Sequence, residues 1–476
     1  MTLRKALCGL LLPVLLLGGP AALAGERAYS CDDLAERAVL SAFGVPVHQG
    51  DDGWFFRSGE INHFYPMSDR AATFLKRLDA VLKAHGVQLV LMPLPSKSML
   101  APAHAAVAAA ADNLVFDPAF ARAAFEARLQ SFRDLGVPVV DVLAQIDRAA
   151  DPDIEYYFPQ DLHWRPELAR ASAQATATTL SALFPQTFPG TKSYQTRLKS
   201  AEPAIHRANS GPLLNQLCAS SVPAETLPLY ETVEVDQSVD AFLGDADAAP
   251  VNVIGTSFTE ETRVYNFSGF LREALQTDVA SYSIIGGGIT QALYRWAHTG
   301  QARAGAQVLL WELHFIDRLE AVATTLARTV VPAIAGSCRD TGNEIFAADY
   351  ALTDEAPVTL TLPETIKLSG DAHYLELGLS DPTARGVAVE FGYRDGRRDV
   401  LPVVRESRVG AIDTIYAELS PDLPGELGSI TLSAMQPGQN AGRLALCRYP
   451  LAMPHGAQSG GSGAAVVLTT GQEVKK

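Results

Sequence analysis

The chain has 476 residues, 47% hydrophobic and 19% charged, with 53 acidic against 38 basic side chains and a formal net charge of −15. That length exceeds one ordinary core, so two domains are expected. The acidic balance sets the surface against nucleic acid, and nothing resembles a basic binding stripe; an anionic polysaccharide would need only a local basic groove.

M-T-L-R-K brings Arg4 and Lys5, then come an apolar run from Ala6 to Leu17, the breakers Gly18, Gly19 and Pro20, and small residues at 22–24. A basic start, a short apolar core and a small-residue exit form a secretory signal, with cleavage expected after Ala24. The apolar core is shorter than the roughly 20 residues a spanning helix needs. Cys8 sits too early for a lipoprotein anchor. Cleavage takes the net charge from −15 to −17, because two bases and no acid are lost.

From residue 69 to about 337, helical and strand patterns alternate. Residues 69–86 carry apolar side chains at helical spacing and stop at Gly86, and V-Q-L-V-L-M-P-L-P (87–95) reads as an apolar strand. A second helix over about 118–134 leads to a strand at 137–142, and 165–184 is a third helix with Pro166 in its first turn. Further strands are expected at 251–255, 279–285 and 306–313. Short apolar strands separated by helices predict an α/β domain with a parallel sheet covered on both faces.

Just before the third helix, D-L-H-W at 161–164 places Asp161 and His163 on one face of an extended segment. A carboxylate that orients an imidazole and stabilises its protonated form is two-thirds of an acyl-transfer triad. The missing nucleophile is expected in V-N-V-I-G-T-S-F-T-E-E (251–261), where a strand ends at Gly255 and Ser257 follows a tight turn. Open α/β sheets bind ligands at the carboxyl ends of their strands, and a serine there presents its hydroxyl outward and its own N–H to an oxyanion. Ser257 with Glu260 also reads as a capping box opening a helix, a role compatible with the first. Thr259 stands where G-x-S-x-G requires glycine, which disfavours a conventional α/β-hydrolase. With no nucleotide fingerprint or metal-ligand cluster in the sequence, no cofactor and no metal are expected.

After Cys338 the pattern changes: seven short strands, from V-T-L-T-L to R-L-A-L-C, follow one another in roughly 110 residues without a helix, which predicts a β-sandwich. The expected organisation is a signal segment at 1–24, an α/β domain at 25–337, a β-sandwich at 338–455 and a disordered Gly/Ser-rich tail at 456–476. Beyond Cys8 remain Cys31, Cys218, Cys338 and Cys447, an even set that in an exported chain implies disulfides with three possible connectivities. The boundary near 337 favours Cys31 with Cys218 and Cys338 with Cys447, one bridge in each domain.

G-T-S-F at 255–258, the run Y-N-F-S-G-F-L-R-E-A-L-Q-T-D-V-A-S-Y at 265–282 and D-L-H-W-R-P at 161–166 together resemble the SGNH-type domain of the AlgX/AlgJ family of alginate O-acetyltransferases. The acid–histidine block precedes the serine, as in that family. The β-sandwich resembles the family's carbohydrate-binding module, and the cysteines fall where the family has one bridge per domain. The resemblance implies Ser257 as nucleophile, His163 as general base and then acid, and Asp161 as the residue orienting His163. It implies a periplasmic O-acetyltransferase acting on an anionic exopolysaccharide, with membrane proteins that deliver acetyl groups and export the polymer as partners. The chain departs from the family in reading W-E-L-H-F-I-D-R (311–318) where a Pro-Glu-Arg-Tyr type sequence is expected.

With a uronate polymer as substrate, Lys97 in S-K-S at a strand end is a candidate for its carboxylate, and Trp164 for a lid or sugar platform. Tyr393, Arg394, Arg397 and Arg398 share the hairpin Y-R-D-G-R-R, where Arg394 and Arg398 are candidates for bidentate contacts to carboxylated sugars. The glycine-rich I-I-G-G-G-I segment (284–289) could bring a second oxyanion donor but reads rather as a turn, and His298 and His314 read as structural. The same triad would serve an acetylesterase if water replaced the sugar, and a non-catalytic scaffold of an export complex would carry it unused.

Overall fold

The computed structural model describes residues 29–450 with short interruptions, the longest at 236–248. The expected signal segment and the Gly/Ser tail lie outside the described residues. Among the described residues no helix is long and apolar enough to cross a membrane.

Strands β1 (Gln88–Pro93), β2 (Val251–Ile254), β3 (Val279–Ser281) and β4 (Val308–Leu313) form one sheet in the order β1-β4-β2-β3, with every neighbouring pair parallel. The central pair β2 and β4 is buried throughout, as near-continuous apolar runs require when helices cover both faces. Helix α1 (Asp69–Ala84) opens where the Ser68 side chain accepts from the Ala71 N–H, and its buried stripe includes Phe74, Leu75, Leu78 and Leu82. Gly86, at φ +74, supplies the left-handed turn that ends it. Helix α2 (Pro118–Asp134) has Pro118 in its first turn and Asp117 as its cap, and α3 (Pro166–Leu183) follows the D-L-H-W string with Pro166 in its first turn, as expected.

Two expected strands are shorter than their apolar runs. At 137–142 only the isolated bridge Leu91↔Val139 forms; Pro138 has no N–H to donate, and Asp141 accepts from the Ala144 N–H at 2.9 Å as a helix begins at Val142. The 279–285 strand stops at Ser281, on the sheet edge.

The chain then passes through α4 (Leu319–Ala335) into eight strands among the described residues: β5 (Glu344–Leu352), β6 (Val358–Thr361), β7 (His373–Gly378), β8 (Gly386–Tyr393), β9 (Arg398–Val404), β10 (Thr414–Glu418), β11 (Leu427–Ala434) and β12 (Asn440–Arg448). They form two antiparallel sheets of four, β5-β12-β7-β10 and β6-β11-β8-β9. The strand absent from the sequence reading is β5, whose E-I-F-A-A-D-Y-A-L has too much alanine and acid for a clear strand signal. Cys31 is bridged to Cys218 and Cys338 to Cys447.

The α/β part and the sandwich share one apolar cluster, containing Phe74, Trp311 and Val330 from the first and Leu375, Phe391 and Leu432 from the second. Two ion pairs lie inside this join, Arg77 with Glu418 and Arg328 with Asp399. Arg77 of α1 makes bonds of 2.7 and 2.6 Å to the Glu418 carboxylate, which also accepts from the Tyr449 hydroxyl at 2.5 Å.

Candidate active site

The Asp161–His163 string lies in a loop closed by the antiparallel bridge Tyr157↔Trp164. Lys97, directly after β1, is completely buried beneath it. Its ammonium donates to the carbonyls of Phe55 (2.6 Å), Pro159 (2.8 Å) and Asp161 (3.0 Å). This corrects the reading of Lys97 as a substrate contact: all three ammonium protons are spent on backbone and none faces solvent. The loop is braced again where Glu225 accepts the Gln160 N–H at 2.9 Å.

The Ser257 turn follows β2 without a helix. Residues 255–266 are turn and coil, and the next helix begins only at Phe267, so Ser257 does not cap one. The turn is instead fixed from below by Glu312 of β4, which is fully buried. One oxygen, Oε2, accepts the Thr256 N–H at 2.7 Å, the Thr256 hydroxyl at 2.9 Å and the Thr259 hydroxyl at 3.3 Å. Gly255 leaves room for this contact, because a Cβ there would stand 2.4 Å from Glu312 Oε2 and 2.6 Å from Thr259 Oγ1. Burial pushes the Glu312 carboxyl up to about 7. Oε1 has no hydrogen-bond partner, so burial favours the protonated carboxyl while Oε2 accepts.

These two loops bring three side chains into line. His163 Nδ1 is 2.6 Å from Asp161 Oδ2, and His163 Nε2 is 2.8 Å from Ser257 Oγ. An ionised carboxylate only accepts, so Nδ1–H donates to Asp161 and the Ser257 hydroxyl donates to Nε2. Asp161 is buried, whereas His163 and Ser257 keep a face toward solvent. Burial alone would raise the Asp161 carboxyl; the facing His163 and hydrogen bonds from His163 and Ser210 outweigh it and hold the group well below the usual carboxylate range. The Ser210 hydroxyl donates to Asp161 Oδ1 at 2.8 Å, so both carboxylate oxygens are engaged. The array has the parts of a nucleophilic acyl-transfer site: a hydroxyl, a base to take its proton and an acid to orient the base.

The imidazole is held between rings. Tyr265 stacks on His163 with centroids 5.6 Å apart at 25°, and Phe258 lies 5.2 Å away. The Tyr265 oxygen is 2.9 Å from His206 Nε2, and burial drives His206 down to about 4, so that ring is neutral. Ser210, His206, Glu225 and Glu312 were not found in the sequence; each comes from a distant segment with no local motif. Tyr265 was within reach, as the first residue of the Y-N-F-S-G-F run.

The remaining candidates do not join this cluster. Trp164 is fully buried, packed on Phe258 and Phe267, and offers no platform to a sugar. Arg394 donates to the Leu362 carbonyl at 3.2 Å, and exposed Arg398 lies 3.3 Å from Glu390. Arg397 is paired with Asp395 at 2.6 Å. His298 is stacked on Tyr294 and bonded to its carbonyl at 2.9 Å, a structural role. His314 is buried against Phe258, with its Nε2 unpartnered. Gly286 and Gly288 have φ +65 and +55 and form a turn leading into the helix Gly288–His298, which agrees with the turn reading.

A parallel sheet with the acid–histidine loop and the serine turn at its carboxyl edge defines an SGNH-hydrolase-like protein. Residues 47–315, more than half of the chain, match the family described as SGNH hydrolase-like domain, acetyltransferase AlgX, and the chain belongs to that family. Alginate biosynthesis protein AlgX of Pseudomonas syringae pv. tomato is 24% identical over 429 residues, 87% of this chain and 86% of the relative. The probable alginate O-acetylase AlgJ of Pseudomonas fluorescens is 27% identical over 278 residues, 55% of this chain and 66% of that protein. The solved structure of Pseudomonas aeruginosa AlgX superposes with a TM-score of 0.74 at 22% identity, covering 88% of this chain and 99% of that one, so the two share a fold.

Proposed function

We propose that this protein O-acetylates an exported anionic polysaccharide, alginate or a close chemical relative, through an acetyl-Ser257 intermediate. The observation that carries the reading is the unbroken Asp161–His163–Ser257 line in a chain of the AlgX family. His163 Nε2 takes the Ser257 proton as Oγ attacks the acetyl carbonyl of the donor, and the imidazolium returns that proton to the leaving group. A sugar hydroxyl then gives its proton to His163 and attacks the acetyl-serine carbonyl. Cleavage of the Ser257 ester bond passes the acetyl group to the sugar and the proton back to Oγ. Asp161 keeps Nε2 the acceptor nitrogen and stabilises the imidazolium in both halves. The Ser257 N–H is the backbone donor assigned to the developing oxyanion in this reading.

In this reading residues 25–337 carry the chemistry and the sandwich at 338–455 holds polymer beside it. The work takes place in the periplasm, where membrane partners deliver acetyl groups and export proteins receive the product. The relatives' names, an alginate biosynthesis protein and a probable alginate O-acetylase, support the choice of polymer. Purified protein incubated with an activated acetyl ester and a uronate oligosaccharide should yield acetylated sugar, and quenching without acceptor should leave a 42-dalton adduct (one acetyl in place of one hydrogen) on the Ser257 peptide, roughly one per chain. Release of free acetate alone, with acceptor in excess, would make the protein an esterase; undiminished transfer by Ser257→Ala would remove the nucleophile.

A further inference from the structure

Arg263, six residues past Ser257, has no acidic partner among the described residues, although Glu260 and Glu261 stand just before it in sequence. Among the described residues no carboxylate lies within 4.0 Å of its guanidinium, and its Nε is buried without any hydrogen-bond partner. The two acids nearest in sequence are turned elsewhere. Glu260 accepts from the Thr262 N–H (3.0 Å) and hydroxyl (2.7 Å), and Glu261 accepts from Arg272 at 2.8 Å. Among arginines buried elsewhere, Arg77 is held by Glu418, Arg328 by Asp399 and Arg405 by the carbonyls of Ala384, Thr383 and Gly410, whereas Arg128 lies against the Tyr65 and Phe132 rings with its Nη1 unbonded. Arg263 is left with one long contact of 3.4 Å to the Tyr265 hydroxyl.

Its position gives that unspent charge a use. The guanidinium carbon stands 5.5 Å from the centre of the Tyr265 ring, and the same ring stacks on His163 at 5.6 Å. The charge is therefore no farther from the imidazole than those two contacts laid end to end, the scale of a disaccharide. Half-buried against an aromatic face, a permanently charged planar fork is poised for a planar carboxylate and is poorly matched to a neutral sugar.

We propose that Arg263 is the specificity residue of the acceptor site: it binds a uronate carboxylate of the polymer and so brings a ring hydroxyl to acetyl-Ser257. The inference deepens the transferase reading and rests on it for the identity of the acceptor. It also gives an acidic protein a local anchor for an acidic chain at the reaction centre, a task for which the sequence offers Lys97, Arg394 and Arg398.

The test separates binding from chemistry by using Ser257→Ala protein, which holds acceptor without turnover. Calorimetric titration with an alginate oligouronate, and with the same oligosaccharide after its carboxylates are reduced to alcohols, is run on Ser257→Ala with and without Arg263→Gln. Arg263→Gln should weaken oligouronate binding on the order of tenfold, the size of one lost charge-assisted contact, and leave the reduced sugar unaffected. Arg263→Lys, which keeps the charge and loses the fork, should fall between. Oligouronate affinity unchanged by Arg263→Gln, or equal losses for both sugars, overturns the proposal. Whether Ser257 itself forms an acetyl adduct is read separately on the unsubstituted chain, so a failure of the transferase reading is not mistaken for a failure of Arg263.

Discussion

Arg328 of the long helix α4 donates to Asp399 of the sandwich through two bonds, 3.1 and 2.6 Å, with both side chains more than nine-tenths buried. Its Nε also reaches the Glu418 carbonyl at 2.8 Å. Arg328→Met leaves the Asp399 carboxylate buried and without its ion partner, and should cost about 3–5 kcal/mol. The double variant Arg328→Met with Asp399→Leu should recover most of that loss, because the uncompensated charge is gone. Urea unfolding of the three proteins checks this; a single variant within about 0.5 kcal/mol of the parent would show that the pair does not secure the join.

Ser257→Ala and His163→Ala should each reduce acetyl transfer on the order of 10⁴-fold or more, and the double variant should be little worse than either, because the groups act as a unit. Asp161→Asn should preserve the fold and cost on the order of 10⁴-fold by inverting the imidazole's hydrogen-bond polarity. Circular dichroism beside the transfer assay distinguishes lost chemistry from lost structure. Multiplicative losses in the double variant would mean that the residues act separately.

Glu312 makes stability fall with pH. Its carboxyl is raised from 4.5 to about 7 in the fold. Between those values the native state therefore binds more protons than the unfolded chain, and the sign of the linkage makes stability decline as pH rises through this window. Below the unfolded value the group contributes no slope; above about 7 its ionisation penalty is complete. Glu312→Gln retains an oxygen to accept from Thr256 and Thr259 and removes the titration. Its melting temperature should fall less steeply than the parent's from pH 4.5 to 7. Parallel curves would show that Glu312 does not titrate in that range.

Lys97→Met should act on the fold first. It strips the donor from three carbonyls, including that of Asp161, at a cost of about 3–5 kcal/mol by analogy with breaking a buried charged pair. A variant that keeps its melting temperature and shows only a raised KM for the uronate acceptor would restore Lys97 as a substrate ligand.

The parts legible in the sequence were those with a local period or a tight spacing. Continuous apolar runs announced β1, β2 and β4, and the two-residue step from Asp161 to His163 announced a shared face. Ser257 was found because a strand ended immediately before it, yet its capping role was misjudged, since S-x-x-E is the same string whether or not a helix follows. Lys97 was misplaced because lysine is usually exposed, and only tertiary contact reveals three carbonyls converging on its ammonium. The same holds for Ser210, Glu225 and Glu312, which reach the two loops of the site from elsewhere in the chain. The unpaired state of Arg263 is also a relation between segments: with Glu260 and Glu261 beside it, its sequence looks like an ion-paired surface.

The Cys31–Cys218 bridge has a consequence for when the site is assembled. Cys218 ends the short helix Gly211–Leu217, and Ser210, immediately before that helix, holds one oxygen of the Asp161 carboxylate. The bridge closes 187 residues of chain and fastens this segment to the start of the described structure. Apart from the bridge, an apolar cluster that includes Leu34, Phe43, Leu214, Leu217 and Val222 and a bond of 2.6 Å from Arg37 to the Leu217 carbonyl hold the two together. Thiols stay reduced in the cytosol and pair in oxidising compartments. The Asp161–His163–Ser257 geometry is therefore expected to be complete only once the Cys31–Cys218 bridge has formed, and reduction of that bridge should loosen the Ser210 contact to Asp161.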